Sequence, residues 1–321
     1  ELNVRLKRQE AIVKAISAAF STEMKAVDTA FSSGALDSDG KAALNSTQKL
    51  INQRQILIDQ QNEVDNTIFQ TQLPPAEMMD KMTPAEQAAA TKFAAGGWNV
   101  ILTGRRKEKL EALAKALEAN YGIKTLSLVF DVQDKKAVFE NLQNLPTEWQ
   151  AINILVNNAG LALGRDSFEN ANLEDWETMI DTNVKGLLYA SKAVLPILIK
   201  EKGHIINIGS TAGKEVYKDG NVYCASKHAV DAISKAQRID LLQYQIKVTA
   251  IHPGAADTEF SVVRFKGDAE KAKAVYTGYT PLMSEDIADT VWYVANTPAH
   301  VCINDLVITC TAQANSMYLQ K

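Results

Sequence analysis

The run 204-HIINIGSTAG-213, followed by 223-YCASKHAVDAISKAQRIDLL-242 and 247-KVTAI-251, decides the fold. His204 to Ile208 reads as a short apolar strand that stops on Gly209 and Ser210. Residues 223–242 read as a helix and 247–251 as a second strand. Two strands joined by a helix of this length pair in parallel, and parallel strands are buried beneath helices on both faces.

Outward from this unit the alternation continues. Downstream come a helix over 284–296 and a strand over 305–309. Upstream lie a strand over 152–156, a long helical stretch over 173–200, strands over 98–102 and 125–130, and a helix over 107–120 ending near Gly122. Thr83-Pro84-Ala85-Glu86 is a capping box with proline at the first helical position, and it opens a helix over 84–95 that Gly96-Gly97 closes. The fold class expected is α/β, a doubly wound parallel sheet of Rossmann type with ligands at the carboxyl ends of its strands.

The character changes before residue 92. Every Tyr, Trp and Cys lies beyond it, and only Gly34 and Gly40 of the 16 glycines precede it. Val13, Ile16, Phe20, Met24, Val27 and Phe31 fall on one helical stripe, and Leu50, Leu57, Val64 and Ile68 on another, with turn chemistry at Ser32-Ser33-Gly34 and Asp37 to Gly40 between them. A helical hairpin is expected over 1–72, then a linker over 73–83 at Leu73-Pro74-Pro75, then the α/β domain over 84–321. Asp37-x-Asp39-Gly40 is no calcium loop: with Gly40 sixth, its first ligand would be Ala35 and its twelfth Ser46.

Composition excludes several classes. The 321 residues carry 34 Lys and Arg against 38 Asp and Glu, a net charge of −4, which argues against nucleic acid as a partner. The longest strongly apolar run, 193–199, is far shorter than the ~20 residues of a membrane span. Cys224, Cys302 and Cys310 are too few for a disulfide framework, and with no basic, apolar leader after Glu1 a cytoplasmic location is expected.

The chemistry concentrates after the 204–208 strand. Tyr223 and Lys227 stand four apart, so they share a helix face. An ammonium ~4 Å from a phenol, at an effective dielectric of ~20, is worth up to about 4 kcal/mol and would lower a phenol pKa of ~10 by as much as three units. The expectation is a tyrosine that works as general acid and base near neutral pH. Ser210, at the strand's carboxyl end, can hold a reacting carbonyl oxygen near that phenol. Asn183 can bend its helix and hold a water on a proton path from the lysine. Each residue alone is more often surface packing, a cap or a turn; the ordered set is what is specific.

From about Ala88 onward the chain resembles the short-chain dehydrogenase/reductase family, in Asn157-Asn158-Ala159-Gly160, Asn183, Ser210 to Gly213, Tyr223-Cys224-Ala225-Ser226-Lys227 and His252-Pro253-Gly254. The resemblance implies hydride transfer between a nicotinamide and an alcohol or carbonyl. By it, Tyr223 is the acid/base, Ser210 orients the substrate, Lys227 tunes the phenol and grips the nicotinamide ribose, and Asn183 holds the relay water. Arg105 and Arg106 stand where the family binds the adenosine ribose, and two guanidiniums suit a 2′-phosphate, so NADP is expected over NAD. Asp131 resembles the adenine-edge contact, Asn158, Ala159 and Gly160 the turn under the cofactor, and Pro253, Gly254 and Thr258 the nicotinamide-amide contacts. Further likeness at 158–164, 209–215 and 258–265 points to the branch of NADP-dependent 3-hydroxy acid and serine dehydrogenases, in which Arg264 would meet a substrate carboxylate. A homodimer or homotetramer on the 173–200 and 223–242 helices is also implied.

One family feature is missing. The family opens on a strand and a Thr-Gly-x-x-x-Gly-x-Gly turn that holds the pyrophosphate. Thr103-Gly104 and Thr277-Gly278 are the only Thr-Gly pairs, and neither has the later glycines. That strand would lie between those at 98–102 and 152–156, so the sheet must close over the gap, borrow a strand or lose its 84–130 portion. The alternative function this leaves open is a non-catalytic scaffold assembled through the hairpin.

Overall fold

A computed structural model describes residues 84–321. The hairpin expected over 1–72, the linker over 73–83 and the cap at Thr83 lie outside the described residues. Strands and helices alternate as α1 (Pro84–Ala95), β1 (Val100–Gly104), α2 (Lys107–Tyr121), β2 (Thr125–Val129), α3 (Lys135–Gln143), β3 (Ile154–Asn157), α4 (Leu173–Ile180) and α5 (Leu187–Glu201). They continue as β4 (His204–Ile208), α6 (Asn221–Asp240), β5 (Lys247–Pro253), α7 (Glu259–Arg264), α8 (Ala269–Val275), α9 (Ser284–Ala295) and β6 (Asp305–Ile308). Every strand pair is parallel, and the order is β1-β2 in one sheet and β3-β4-β5-β6 in another. Among the described residues no helix is long and apolar enough to cross a membrane.

The two-residue period of β4 explains its double cover. Ile205 points into a cluster with Val138, Leu142, Val194 and Leu198 of α3 and α5, while Ile206 points the other way, to Ile287, Val291 and Val294 of α9. Both isoleucines are fully buried. Asn207 shares the face of Ile205 and is also fully buried, so its amide must be paired. It accepts from Asn157 of β3 at 2.8 Å and donates to Ser234 and Gln237 of α6 at 2.9 Å each, locking two strands to one helix just before the strands end. Asn207→Ala orphans those partners and is expected to cost about 2 kcal/mol. By the usual scaling for domains of this size, thermal melts should fall by about 4–8 °C.

Three local expectations need correction. The helix expected over 173–200 is interrupted at Asp181–Gly186 by a wider π-type turn containing Asn183. The strand expected over 98–102 runs instead from Val100 to Gly104, because Trp98 is apolar for another reason: its ring packs edge-on against Phe93 at 5.9 Å. The helix α3 has no counterpart among the expected elements; only Val138 and Leu142 of it are buried, although Asp134 caps it by accepting from Ala137 N at 3.1 Å.

Among the described residues no strand joins β1 to β3. Among the described residues nothing pairs with the free edge of β1 or of β3, and Val100 to Gly104 and Ile154 to Asn157 line a common cavity of about 1150 Å³. Among the described residues the two sheets stay separate. The 84–130 portion is nevertheless folded, with Leu102, Leu110, Leu113, Leu117 and Ile123 as its own core. It is fastened to α9 by Phe93 edge-on to Trp292 at 5.4 Å and by Lys92 to Asp289 at 2.5 Å. Gly96 lies under the same indole, where a Cβ would come within 2.0 Å of the ring.

Candidate active site

The carboxyl end of β4 delivers Ser210, whose hydroxyl oxygen caps the short turn Thr211–Gly213 by accepting from Ala212 N at 3.1 Å. That leaves the hydroxyl able to bond the phenol of Tyr223 on the first turn of α6. One turn further along the same face is Lys227, whose ammonium donates to the carbonyl of Ile208 at 3.0 Å. Both Tyr223 and Lys227 are buried. Gly160 completes the floor: a Cβ there would stand 3.2 Å from Lys227 Nζ and 3.4 Å from Asn183 Oδ1, so the backbone turn, the ammonium and the amide meet at one point.

Asn183 spends its side chain on structure. Its Oδ1 accepts from Leu161 N at 2.8 Å, and its Nδ2 donates to Leu161 O at 2.8 Å and to Ser226 Oγ at 3.0 Å. The amide thus fixes the 158–161 turn against α6.

The electrostatics reverse one expectation. The phenol of Tyr223 is not lowered by Lys227; burial pushes it above its ordinary range, helped by Tyr217, while the bond from Ser210 and the guanidinium of Arg264 act the other way. Burial also lowers Lys227, to about 8. Desolvation outweighs the Coulomb attraction assumed from spacing alone, because the same burial that strengthens a charge pair makes each charge costly.

Arg264, at the end of α7, lies over two aromatic rings, with its Cζ 5.5 Å from the centre of Tyr223 and 5.7 Å from that of Tyr217. Its Nη1 donates to Tyr217 Oη at 3.0 Å and its Nε to Gly164 O at 3.3 Å. Arg165 stands 6.0 Å from the Tyr217 ring. Neither Tyr217 nor Arg165 was expected at the site. A guanidinium over the Tyr223 ring, with a second one nearby, is an anion-binding arrangement.

The cavity lined by Ser210, Tyr223, Lys227 and Arg264 is also lined by Thr258, Pro253 and Gly254, by the turn Asn158, Ala159 and Gly160, and by Asp131, Arg105 and Arg106. Asn183 alone of the expected residues stands behind its wall. Arg105 Nη1 pairs with Asp131 Oδ2 at 3.4 Å, and Asp131 Oδ1 accepts from Gln133 N at 2.9 Å. At about 1150 Å³ the cavity exceeds the roughly 300–1,000 Å³ of ordinary ligand clefts. One cavity is thus lined both by the guanidiniums of Arg105 and Arg106 and by the serine, tyrosine and lysine, the two kinds of group a phosphorylated dinucleotide needs. Gln87 Oε1 and Ser316 Oγ are buried without a partner and both residues line it, as polar atoms that a ligand could satisfy. Among the described residues no glycine-rich turn faces the middle of the cavity.

Known proteins match this chain over the same region. A family model described as short chain dehydrogenase matches residues 87–268. The NADP-dependent 3-hydroxy acid dehydrogenase YdfG of Salmonella typhi is 48% identical over 230 residues, which is 71% of this chain and 91% of that protein. Sulfoacetaldehyde reductase 2 of Chromohalobacter salexigens is 44% identical over 234 residues, 72% of this chain and 92% of its own. Among solved structures, the closed form of serine dehydrogenase complexed with NADP+ superposes with a TM-score of 0.68 at 47% identity, covering 72% of this chain and 92% of that one.

Proposed function

The chain belongs to the short-chain dehydrogenase family, and from that premise we propose that it is an oxidoreductase interconverting a small hydroxy acid and its carbonyl form with NADP(H). The observation that carries this reading is that Ser210, Tyr223 and Lys227 meet in a cavity that Arg105 and Arg106 also line. The nicotinamide, when bound, supplies or accepts the hydride. The rest is done by side chains. Ser210 holds the substrate oxygen beside the phenol, Tyr223 gives that oxygen a proton in reduction and takes it in oxidation, and Lys227 restores the proton to the phenol.

Arg264 is the partner for the substrate carboxylate, since its guanidinium is held over the Tyr223 ring by Gly164 O and Tyr217 Oη. A carboxylate anchored there sets the carbinol carbon near the phenol. Arg105 and Arg106 hold the 2′-phosphate, which favours NADP over NAD. Asp131 lies at the adenine edge, Asn158 to Gly160 lie under the cofactor, and Pro253, Gly254 and Thr258 reach its amide. Exposed Leu173, Leu188 and Ile239 on α4, α5 and α6 suit the expected homodimer or homotetramer.

The test is direct. Adding the full chain to NADPH is expected to shift or quench nicotinamide fluorescence, and NADP with 3-hydroxy acids is expected to yield NADPH, with NAD poorer. No binding at millimolar cofactor would leave the non-catalytic scaffold as the surviving alternative.

A further inference from the structure

Behind Ser210 lies a buried group of charges that the reaction does not touch. His252, on β5, is fully buried. Its Nδ1 lies 3.2 Å from the carbonyl of Ser210, and a carbonyl can only accept, so Nδ1 carries the proton. The imidazole presses so closely on the preceding residue that a Cβ on Gly209 would come within 2.4 Å of Nδ1. The other nitrogen, Nε2, has no hydrogen-bond partner and faces Asp305 Oδ1 at 3.4 Å and Asp231 Oδ1 at 3.7 Å.

The charges around it connect the catalytic elements. Lys214, one residue past the turn that Ser210 caps, bonds Asp231 at 2.8 Å and Asp305 at 2.5 Å. Asp231 is also paired with Lys235 at 2.6 Å. Asp231 sits on α6, one turn beyond Lys227 and two beyond Tyr223. The charged groups facing the imidazole are thus Lys214 after β4, Asp231 on α6 and Asp305 on β6, with Lys235 behind Asp231. Asp231, His252 and Asp305 could between them surround a cation, but the Lys214 ammonium already bridges the two carboxylates.

We propose that His252, packed against the Asp231, Lys214 and Asp305 cluster, is a positioning residue that fixes Ser210 relative to Tyr223. Beside the bonds of Asn207 and Lys227, this cluster is a further tie between the strand end bearing the serine and the helix bearing the tyrosine, and a displacement of an ångström at the reacting centre is enough to cost a large factor in rate. Burial and the Lys214 ammonium hold the imidazole below its usual pKa range, against the two carboxylates and the Ser210 carbonyl, which keeps it neutral with the proton on Nδ1.

The proposal rests on the oxidoreductase reading for its kinetics but not for its first test. In nitrogen NMR of the full chain without cofactor, His252 is expected to show the Nδ1–H tautomer; the ordinary Nε2–H tautomer would overturn the proposal whether or not the protein turns over. In kinetics, His252→Leu should lower kcat about 10–100-fold with the cofactor KM unchanged, and His252→Asn, whose amide can still donate to the Ser210 carbonyl, should recover most of it. In a Ser210→Ala background His252→Leu should cost nothing further. An equal loss in that background, or a loss carried by KM, would mean that His252 does not act through Ser210. If His252→Leu does not fold, the tautomer and His252→Asn still decide the matter. Absence of turnover in the unsubstituted chain would overturn the oxidoreductase reading and leave the tautomer test standing.

Discussion

Tyr223→Phe is expected to lower turnover by about 10²–10⁴-fold, the usual range for losing a positioned general acid or base, while cofactor binding and the melting temperature stay near those of the unsubstituted chain. The ring is kept, so the contacts with Arg264 at 5.5 Å and Phe260 at 5.5 Å survive; only the hydroxyl and its bond to Ser210 are lost. The pH profile gives a second check. Burial holds the phenol protonated well above neutrality, so reduction, which needs the acid form, should be flat from pH 6 to 9 as far as Tyr223 is concerned. Oxidation needs the phenolate and should climb steadily with pH over the same interval. Steady-state rates in both directions measure this. A Tyr223→Phe variant within tenfold of the parent would mean that another group moves the proton; complete loss of a measured turnover would remove the scaffold alternative.

The parts of the site that could be read from sequence are those whose residues are close in the chain. Tyr223 and Lys227 share a helix turn, Ser210 follows a strand of unmistakable pattern, and Arg105 and Arg106 follow another; all five line the cavity. The His252 cluster could not be read this way, because Lys214, Asp231, His252 and Asp305 come from four separate segments and no spacing links them. Arg165 and Tyr217 are similarly joined only by the folded chain. Helix α3 escaped because a surface helix with two buried residues has little periodicity to detect, although Asp134 was a readable cap. The sign of the Tyr223 shift failed for a more general reason. Spacing gives the distance between charges but says nothing of how much water surrounds them, and at this site water exclusion dominates.

That same exclusion implies a conflict between stability and function at Lys227. Burial lowers its pKa from 10.5 to about 8, which corresponds to about 3 kcal/mol of destabilisation wherever the lysine is charged in both the folded and unfolded states. Lys227→Met removes that penalty and gives up the bond to the Ile208 carbonyl, worth about 1 kcal/mol. A net gain of about 2 kcal/mol is expected at pH 7, or about 4–8 °C in the melting temperature, together with loss of turnover. The pH dependence fixes the cause. Below the folded pKa of about 8 the full penalty applies. Between there and the unfolded value the unfolded chain binds the extra proton, so the unsubstituted chain gains stability as pH rises and the two melts converge. Comparing both chains at each pH cancels the opposite trend of Tyr223, whose raised pKa makes the folded form lose stability as pH rises above about 10. Melts at pH 7 and 10 would therefore separate a buried charge from mere packing. A variant that melts lower at pH 7, or a difference that does not shrink by pH 10, would show that the ammonium is paired better than its surroundings indicate, and that the lysine is held for structure rather than at structure's expense.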